Sequence, residues 1–352
     1  MSIYAVWNNK GGVGKSYLTF QVASEYARIH PEKRVLVIDL CPQANSSSML
    51  LGGMLAGEAN LNRIHLGNPR LTISGYVEDR IFSPYVNPNS GARYALPGQQ
   101  FNQPIPHNLF LVVGDEQLEI QASRVAAATA PGPQDAWRIV HTWISDLIRD
   151  IVTSWNGADH TVFIDCNPSF SIYTELALSA SDRLVVPFSA DGSSKRAVRA
   201  VLALIYGVTR QPGQQQSEFY SNSQRFRMTL PLLYMYVGNR LTQSNQTSAA
   251  AFKSVVNEIG EEIYAVWKAN PNLFSVHPFG SPVPTTKRAF KTMFQYEVND
   301  ANTASVVSGT CGIPISGLSS GSRNVLGKNV MVNQTQLDKQ VPNIRDLAAA
   351  VE

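Results

Sequence analysis

The 352-residue chain is 44% hydrophobic and 16% charged, with a formal net charge of +3. This balance excludes a disordered chain, and the length suffices to bury a substantial core. No apolar run reaches the ~18 residues needed to cross a bilayer, and three scattered cysteines without a CxxC pair point to a reducing cytoplasm and to no metal site.

The first apolar run, Ile3-Tyr4-Ala5-Val6-Trp7, reads as a strand, so no signal peptide is expected. Asn8-Asn9-Lys10-Gly11-Gly12-Val13-Gly14-Lys15-Ser16 follows. A helical pattern then covers 17–29, with Leu18, Val22 and Tyr26 at helical spacing and Pro31 beyond its end. Strand, glycine loop and helix together form the context of a phosphate-binding loop. Gly11, Gly12, Val13 and Gly14 would turn backbone N–H groups toward an anion at the helix N-terminus. Lys15 would reach the β- and γ-phosphates, and the Ser16 hydroxyl would ligate Mg²⁺. Asn9 stands where the common pattern has glycine, and a second lysine, Lys10, precedes Lys15 by five residues.

Residues 35–40 give a second strand carrying Asp39, followed by Cys41-Pro42-Gln43-Ala44-Asn45. Residues 52–107 are rich in Gly, Asn and Pro and poor in periodicity, which predicts a long irregular insertion. The sheet resumes over 108–114, and a helix rich in Trp137, Ile139, Val140, Trp143, Ile144, Leu147 and Ile148 leads to an apolar strand ending at Asp165. Residues 184–187 and 232–237 are two more short apolar runs. Alternating strands and helices predict an α/β fold, a doubly wound parallel sheet with ligands at its carboxyl edge. Residues 1–352 read as one domain.

Three segments resemble the ParA/MinD group of P-loop ATPases. Lys-Gly-Gly-Val-Gly-Lys-Ser, ending at Ser16, is similar to that group's deviant Walker A loop, whose signature is the first lysine. Residues 35–45 resemble its second strand and switch, and residues 161–169, with Asp165 and Pro168, its Walker B strand. The similarity extends over about 1–50 and 108–240, and weakly over 275–318. The resemblance implies ATP and Mg²⁺ as cofactors, with Asp39 and Asp165 on the metal side and Lys10, Lys15 and Asp39 in catalysis. It also implies an ATP-dependent homodimer in which Lys10 reaches the other subunit's phosphates, by the logic of an arginine finger. Asn239 resembles the group's adenine-contacting asparagine, and Asp191 sits in another nucleotide-side loop.

Cys41 departs from the family, which has an aspartate there to position the attacking water. A thiol is mostly neutral near pH 7 and accepts poorly, so hydrolysis is expected to be slow or partner-dependent. Two basic clusters, Lys195, Arg196 and Arg199, and Lys287, Arg288 and Lys291, are read as a surface for nonspecific DNA, with a solvated charged face as the alternative. The resemblance thus implies a cytoplasmic, nucleoid-associated partition or positioning ATPase working with a ParB-like or cargo-adaptor partner and without a membrane. A nucleotide-gated scaffold with negligible hydrolysis is the rival reading that Cys41 raises.

Overall fold

A computed structural model describes residues 2–130, 132–189, 191–209, 213–241 and 246–352, with side chains left aside at 240–241 and 246–252. Its strands are β1 (Ser2–Val6), β2 (Arg34–Leu40), β3 (Leu96–Pro97), β4 (Leu109–Val112), β5 (His160–Cys166), β6 (Arg183–Phe188), β7 (Leu232–Leu241) and β8 (Gln295–Asn299). These build one sheet in the order β3-β4-β2-β5-β1-β6-β7-β8, parallel except for β3 at the edge. A separate antiparallel hairpin joins β9 (Gly321–Val325) to β10 (Lys328–Val332). The strands are short apolar runs because helices cover both faces of the sheet.

The helices of the first half are α1 (Lys15–Ile29), α2 (Asn45–Leu50), α3 (Gly53–His65), α4 (Ile73–Phe82), α5 (Gln117–Ala128), α6 (Ala136–His141) and α7 (Trp143–Ser154). The second half adds α8 (Ile172–Ser179), α9 (Ser194–Tyr206), α10 (Glu218–Arg225), α11 (Gln246–Ala269), α12 (Lys287–Phe294), α13 (Thr303–Cys311) and α14 (Gln334–Ala349). Successive strand residues feed opposite layers. Ala5, Leu36, Ile38 and Ile164 pack with Trp143, Ile144 and Leu147. Tyr4, Val35, Val37 and Phe163 pack with Phe20, Ala23 and Leu347 on the other face.

Two expectations need correction. The stretch 52–107 is not irregular: it holds α3, α4, two short 3₁₀ turns and β3. Its glycines permit close packing as well as turns. Gly53 has a φ of +77°, and a Cβ there would lie 2.1 Å from the Thr310 carbonyl oxygen on α13. Thr72 caps α4 by accepting the Gly75 N–H at 3.2 Å. The apolar helix predicted before Asp165 is two helices, α6 and α7. They part at Thr142, whose hydroxyl turns back to the Ile139 carbonyl at 2.7 Å.

Candidate nucleotide-binding site

The loop between β1 and α1 lies at the carboxyl edge of the sheet, flanked by β5 and β6. Gly12 and Gly14, with φ of +74° and +80°, give the loop the curl that gathers its N–H groups. Two buried asparagines fasten it. The Asn8 amide donates to the Pro187 carbonyl at 2.8 Å, and Asn8 Oδ1 accepts the Lys10 N–H at 3.1 Å. From the end of β7, the Asn239 amide donates to the Val13 carbonyl at 2.9 Å. Asn239, expected to touch adenine, is thus fully buried and engaged with the loop's own backbone.

Lys15 is buried, and its ammonium donates to the Asn8 and Lys10 carbonyls at 3.1 and 2.9 Å. Burial lowers its pKa, against the opposing pull of Asp165. An ammonium held inside an N–H-lined loop is well suited to phosphate oxygens, which would replace the carbonyls as partners. Ser16 follows at the first turn of α1, half-buried at the mouth of the loop.

Asp39 and Asp165 are register partners on β2 and β5, and both are fully buried. They differ in what holds them. Asp39 accepts the Cys41 N–H at 3.0 Å with one oxygen, and the Ser47 N–H and hydroxyl at 3.0 and 2.8 Å with the other. Its carboxylate thus braces the turn from β2 into α2. Neither oxygen of Asp165 has a hydrogen-bond partner among the described residues. Burial, then the charge of Asp39, raises the pKa of Asp165, and burial likewise raises that of Asp39. An unpartnered buried carboxylate near Ser16 is a fit for Mg²⁺, held directly or through water beside the phosphates. No cluster of three or more His, Cys, Asp or Glu forms a dedicated metal cage among the described residues.

Cys41 lies beside this pair. Its thiol is pushed up to about 12 by burial and by the negative charges of Asp39 and Asp165. It is a neutral group at physiological pH. Lys10 is not in the phosphate cradle. Its ammonium forms an ion pair with Asp191 and donates to the Ser189 and Ser194 hydroxyls at 3.0 and 3.3 Å. Burial would raise the Asp191 pKa, but bonds from Lys10, Ser189 and Ser193 outweigh it and hold the carboxyl well below its usual range. Asp191 is thus a partner of Lys10 in this structure.

A cavity of about 550 Å³ runs from Gly12, Lys15, Ser16 and Cys41 to α3 and α13. Its lining also includes Met54 and Glu58 from α3 and Val306 and Thr310 from α13, none of which the sequence singled out. Those helices come from the segment read as irregular and from the weakly similar C-terminal stretch.

The structure also places the two basic clusters. They flank α11, which answers them with carboxylates. Lys195 pairs with Glu258 at 3.0 Å and Glu262 at 3.6 Å, and Arg199 Nε donates to Glu262 at 3.0 Å. Lys287 pairs with Glu261, and Lys291 donates to Asn257 at 3.1 Å. Arg196 and Arg288 are exposed and form no ion pair with a carboxylate among the described residues. Part of the cationic charge is thus neutralised within the chain.

Comparison with known proteins agrees with this geometry. An AAA domain family model matches residues 1–90. The chromosome partitioning protein ParA of Caulobacter vibrioides is 25% identical over 287 residues, which are 80% of this chain and 86% of that protein. The chromosome-partitioning ATPase Soj of Thermus thermophilus is 28% identical over 201 residues, 57% of this chain and 60% of the relative. Apo McdA of Cyanothece shares the fold, with a TM-score of 0.60 over 99% of both chains at 13% identity. Sheet order, glycine loop and paired strand-end aspartates define a P-loop fold of the ParA type. With its sequence relatives, the chain is similar to ParA/MinD-like P-loop proteins in fold and motif.

Proposed function

We propose that this chain is a partition or positioning ATPase in which ATP and Mg²⁺ bind at the P-loop and join two copies as a nucleotide sandwich. The dimer binds DNA without sequence preference, and a ParB-like or cargo-adaptor partner triggers release. The observation that carries the reading is the division of labour between the two loop lysines. Lys15 fills the cradle of its own loop, whereas Lys10 is directed outward to Asp191. A cation in that position is available to a second subunit's phosphates once its local partner yields. Mg²⁺ would supply charge neutralisation between the phosphates and Asp165. Residues 1–352 are taken as one ATPase domain, because α3 and α13, far apart in sequence, line the same cavity. DNA contact would rest on Arg196 and Arg288 first, with the α11-paired cations joining as phosphates displace carboxylates. No helix among the described residues is long and apolar enough to cross a membrane. The reading places the protein in the cytoplasm, on the nucleoid.

Light scattering with ATP and with ADP tests the dimer. The parent should associate with ATP alone, and Lys10→Ala should not associate although it still binds ATP. A Lys10→Ala protein that associates normally refutes the sandwich.

A second reading has its own support in Cys41. A neutral thiol beside two buried carboxylates offers no water-positioning anion. The chain would then act as a nucleotide-gated scaffold with negligible hydrolysis. Turnover measured with and without DNA separates the two.

A further inference from the structure

A second cleft, of about 330 Å³, lies toward the far end of α1 from the phosphate loop and shares no lining residue with the nucleotide cavity. Ser24, Ala27 and Arg28 share the face of α1 that forms one side of it. About 14 Å of helix rise separates Ser24 from Lys15. Residues 103–108, which lead into β4, and the turn around Pro314 supply other walls.

Two polar atoms at this cleft lack partners. Ser24 and Asn108 both line it and are 1% and 6% exposed, and neither Ser24 Oγ nor Asn108 Oδ1 has a hydrogen-bond partner among the described residues. The orientation of the Asn108 amide is not free. Its Nδ2 donates to the carbonyls of Ala27, His30 and Lys33 at 3.0, 2.9 and 2.8 Å, which leaves the oxygen on the other side as an acceptor without a donor. Buried groups of this kind are costly unless a bound molecule completes them.

The surroundings limit what that molecule is. Arg28 and His107 line the cleft and no carboxylate does, which disfavours a cationic amine. Arg28 already gives Nε and a terminal nitrogen to Glu25 at 2.9 and 2.6 Å, so little positive charge is left for an anion. Pro31, Pro104, Pro106 and Pro314 contribute flat apolar faces and no N–H. A neutral, planar ligand that carries an N–H donor beside an acceptor satisfies all of these conditions. The volume lies within the ~300–1,000 Å³ of small-ligand sites.

We propose that this cleft binds the base of a nucleoside or nucleotide separate from the one at the P-loop. Asn108 Oδ1 accepts an N–H of the base, and the Ser24 hydroxyl donates to the neighbouring ring nitrogen. The amino group and adjacent ring nitrogen of adenine match that pair, between proline faces. The inference does not depend on the P-loop reading.

Calorimetry on the full chain with adenosine and with purine riboside, the same nucleoside without the amino group, tests it. The parent should bind adenosine about tenfold more tightly, as the loss of one hydrogen bond to a buried acceptor implies. Ser24→Ala removes a hydroxyl that bonds nothing in the free chain, so its melting temperature should not fall, whereas its adenosine affinity should drop by about tenfold. A structural role alone would not separate those two readouts. Should Ser24→Ala melt below the parent, Gln103→Trp on the exposed rim serves instead, because its bulk should close the cleft and abolish adenosine binding. Equal binding of the two nucleosides by the parent overturns the assignment. Adenosine binding that neither variant weakens belongs to the P-loop cavity and overturns the second site. Absence of adenosine binding leaves the cleft to water and overturns it as well.

Discussion

Lys10 and Asp191 are joined across 181 positions of sequence into an ion pair at the edge of the phosphate loop. The pair occupies the lysine within its own subunit, and three serines around it complete the arrangement: Ser189 and Ser194 accept from Lys10, and Ser193 donates to Asp191. Removing the carboxylate should free Lys10 for a second subunit. Asp191→Ala is expected to raise the ATP-dependent association constant by up to about fivefold, the worth of a partly exposed ion pair. Sedimentation at graded ATP concentrations measures it, and a weaker association would make Asp191 a supporting group of the dimer instead.

Lys15→Ala should lower ATP affinity by about a hundredfold or more, since two charge-assisted bonds to phosphate are lost. Calorimetry reads the change directly. Unchanged affinity would remove this loop from nucleotide binding.

Cys41→Asp should accelerate hydrolysis in the presence of Mg²⁺, with Cys41→Ser as the neutral control; a tenfold gain corresponds to about 1.4 kcal/mol of barrier. The same substitution buries a third carboxylate beside Asp39 and Asp165. It should therefore lower the melting temperature when Mg²⁺ is withheld, because like charges then lack a counterion. Equal turnover of the Asp and Ser variants would assign water positioning to another group.

For DNA retention the pairing around α11 gives opposite expectations for two sets of changes. Arg196→Ala with Arg288→Ala should weaken binding to random-sequence DNA and reduce the salt slope by about one per cation removed. Glu258→Gln with Glu262→Gln releases Lys195 and Arg199 and should strengthen it. Filter binding at several salt concentrations reads both, and no change in either would assign the clusters to a solvated face.

His277 is buried, stacked on Tyr234 with ring centroids 4.0 Å apart. Burial lowers its pKa, with the Ser275 carbonyl, which accepts from Nδ1, opposing. The unfolded chain then binds this proton more readily than the folded one. Its contribution to stability is complete above the unfolded value near 6.5 and is lost as pH falls below it. Thermal melts between pH 7.5 and about 5.5 should fall more steeply for the parent than for His277→Gln; parallel curves would contradict the assignment.

The sheet and the phosphate loop were legible in the sequence because their signals are local. A strand, a glycine run and Lys15 are contiguous, and Asp165 ends an apolar run. What escaped the sequence depends on contacts made far along the chain. Asp39 looks identical to Asp165 as a strand-end carboxylate, and only Ser47 on α2 decides that one is engaged and the other is not. Glycines at 53 and 57 read as loop residues, whereas their use is close approach between helices that the sequence does not pair. Likewise, cations on α9 and α12 appear free until α11 places Glu258, Glu261 and Glu262 between them.

Asn8 and Asn239 fasten the phosphate loop to two different strands, β6 and β7, and the cost of ordering that loop falls on folding and not on ligand capture. A loop shaped in advance receives its anion without a refolding step, so association should approach the rate set by encounter and ligand charge. Loosening one fastening, as in Asn239→Ala, transfers the lost entropy to binding. Affinity would then decline alike for every phosphate-bearing ligand, whatever its base, and the chain would keep its preferences while losing its grip.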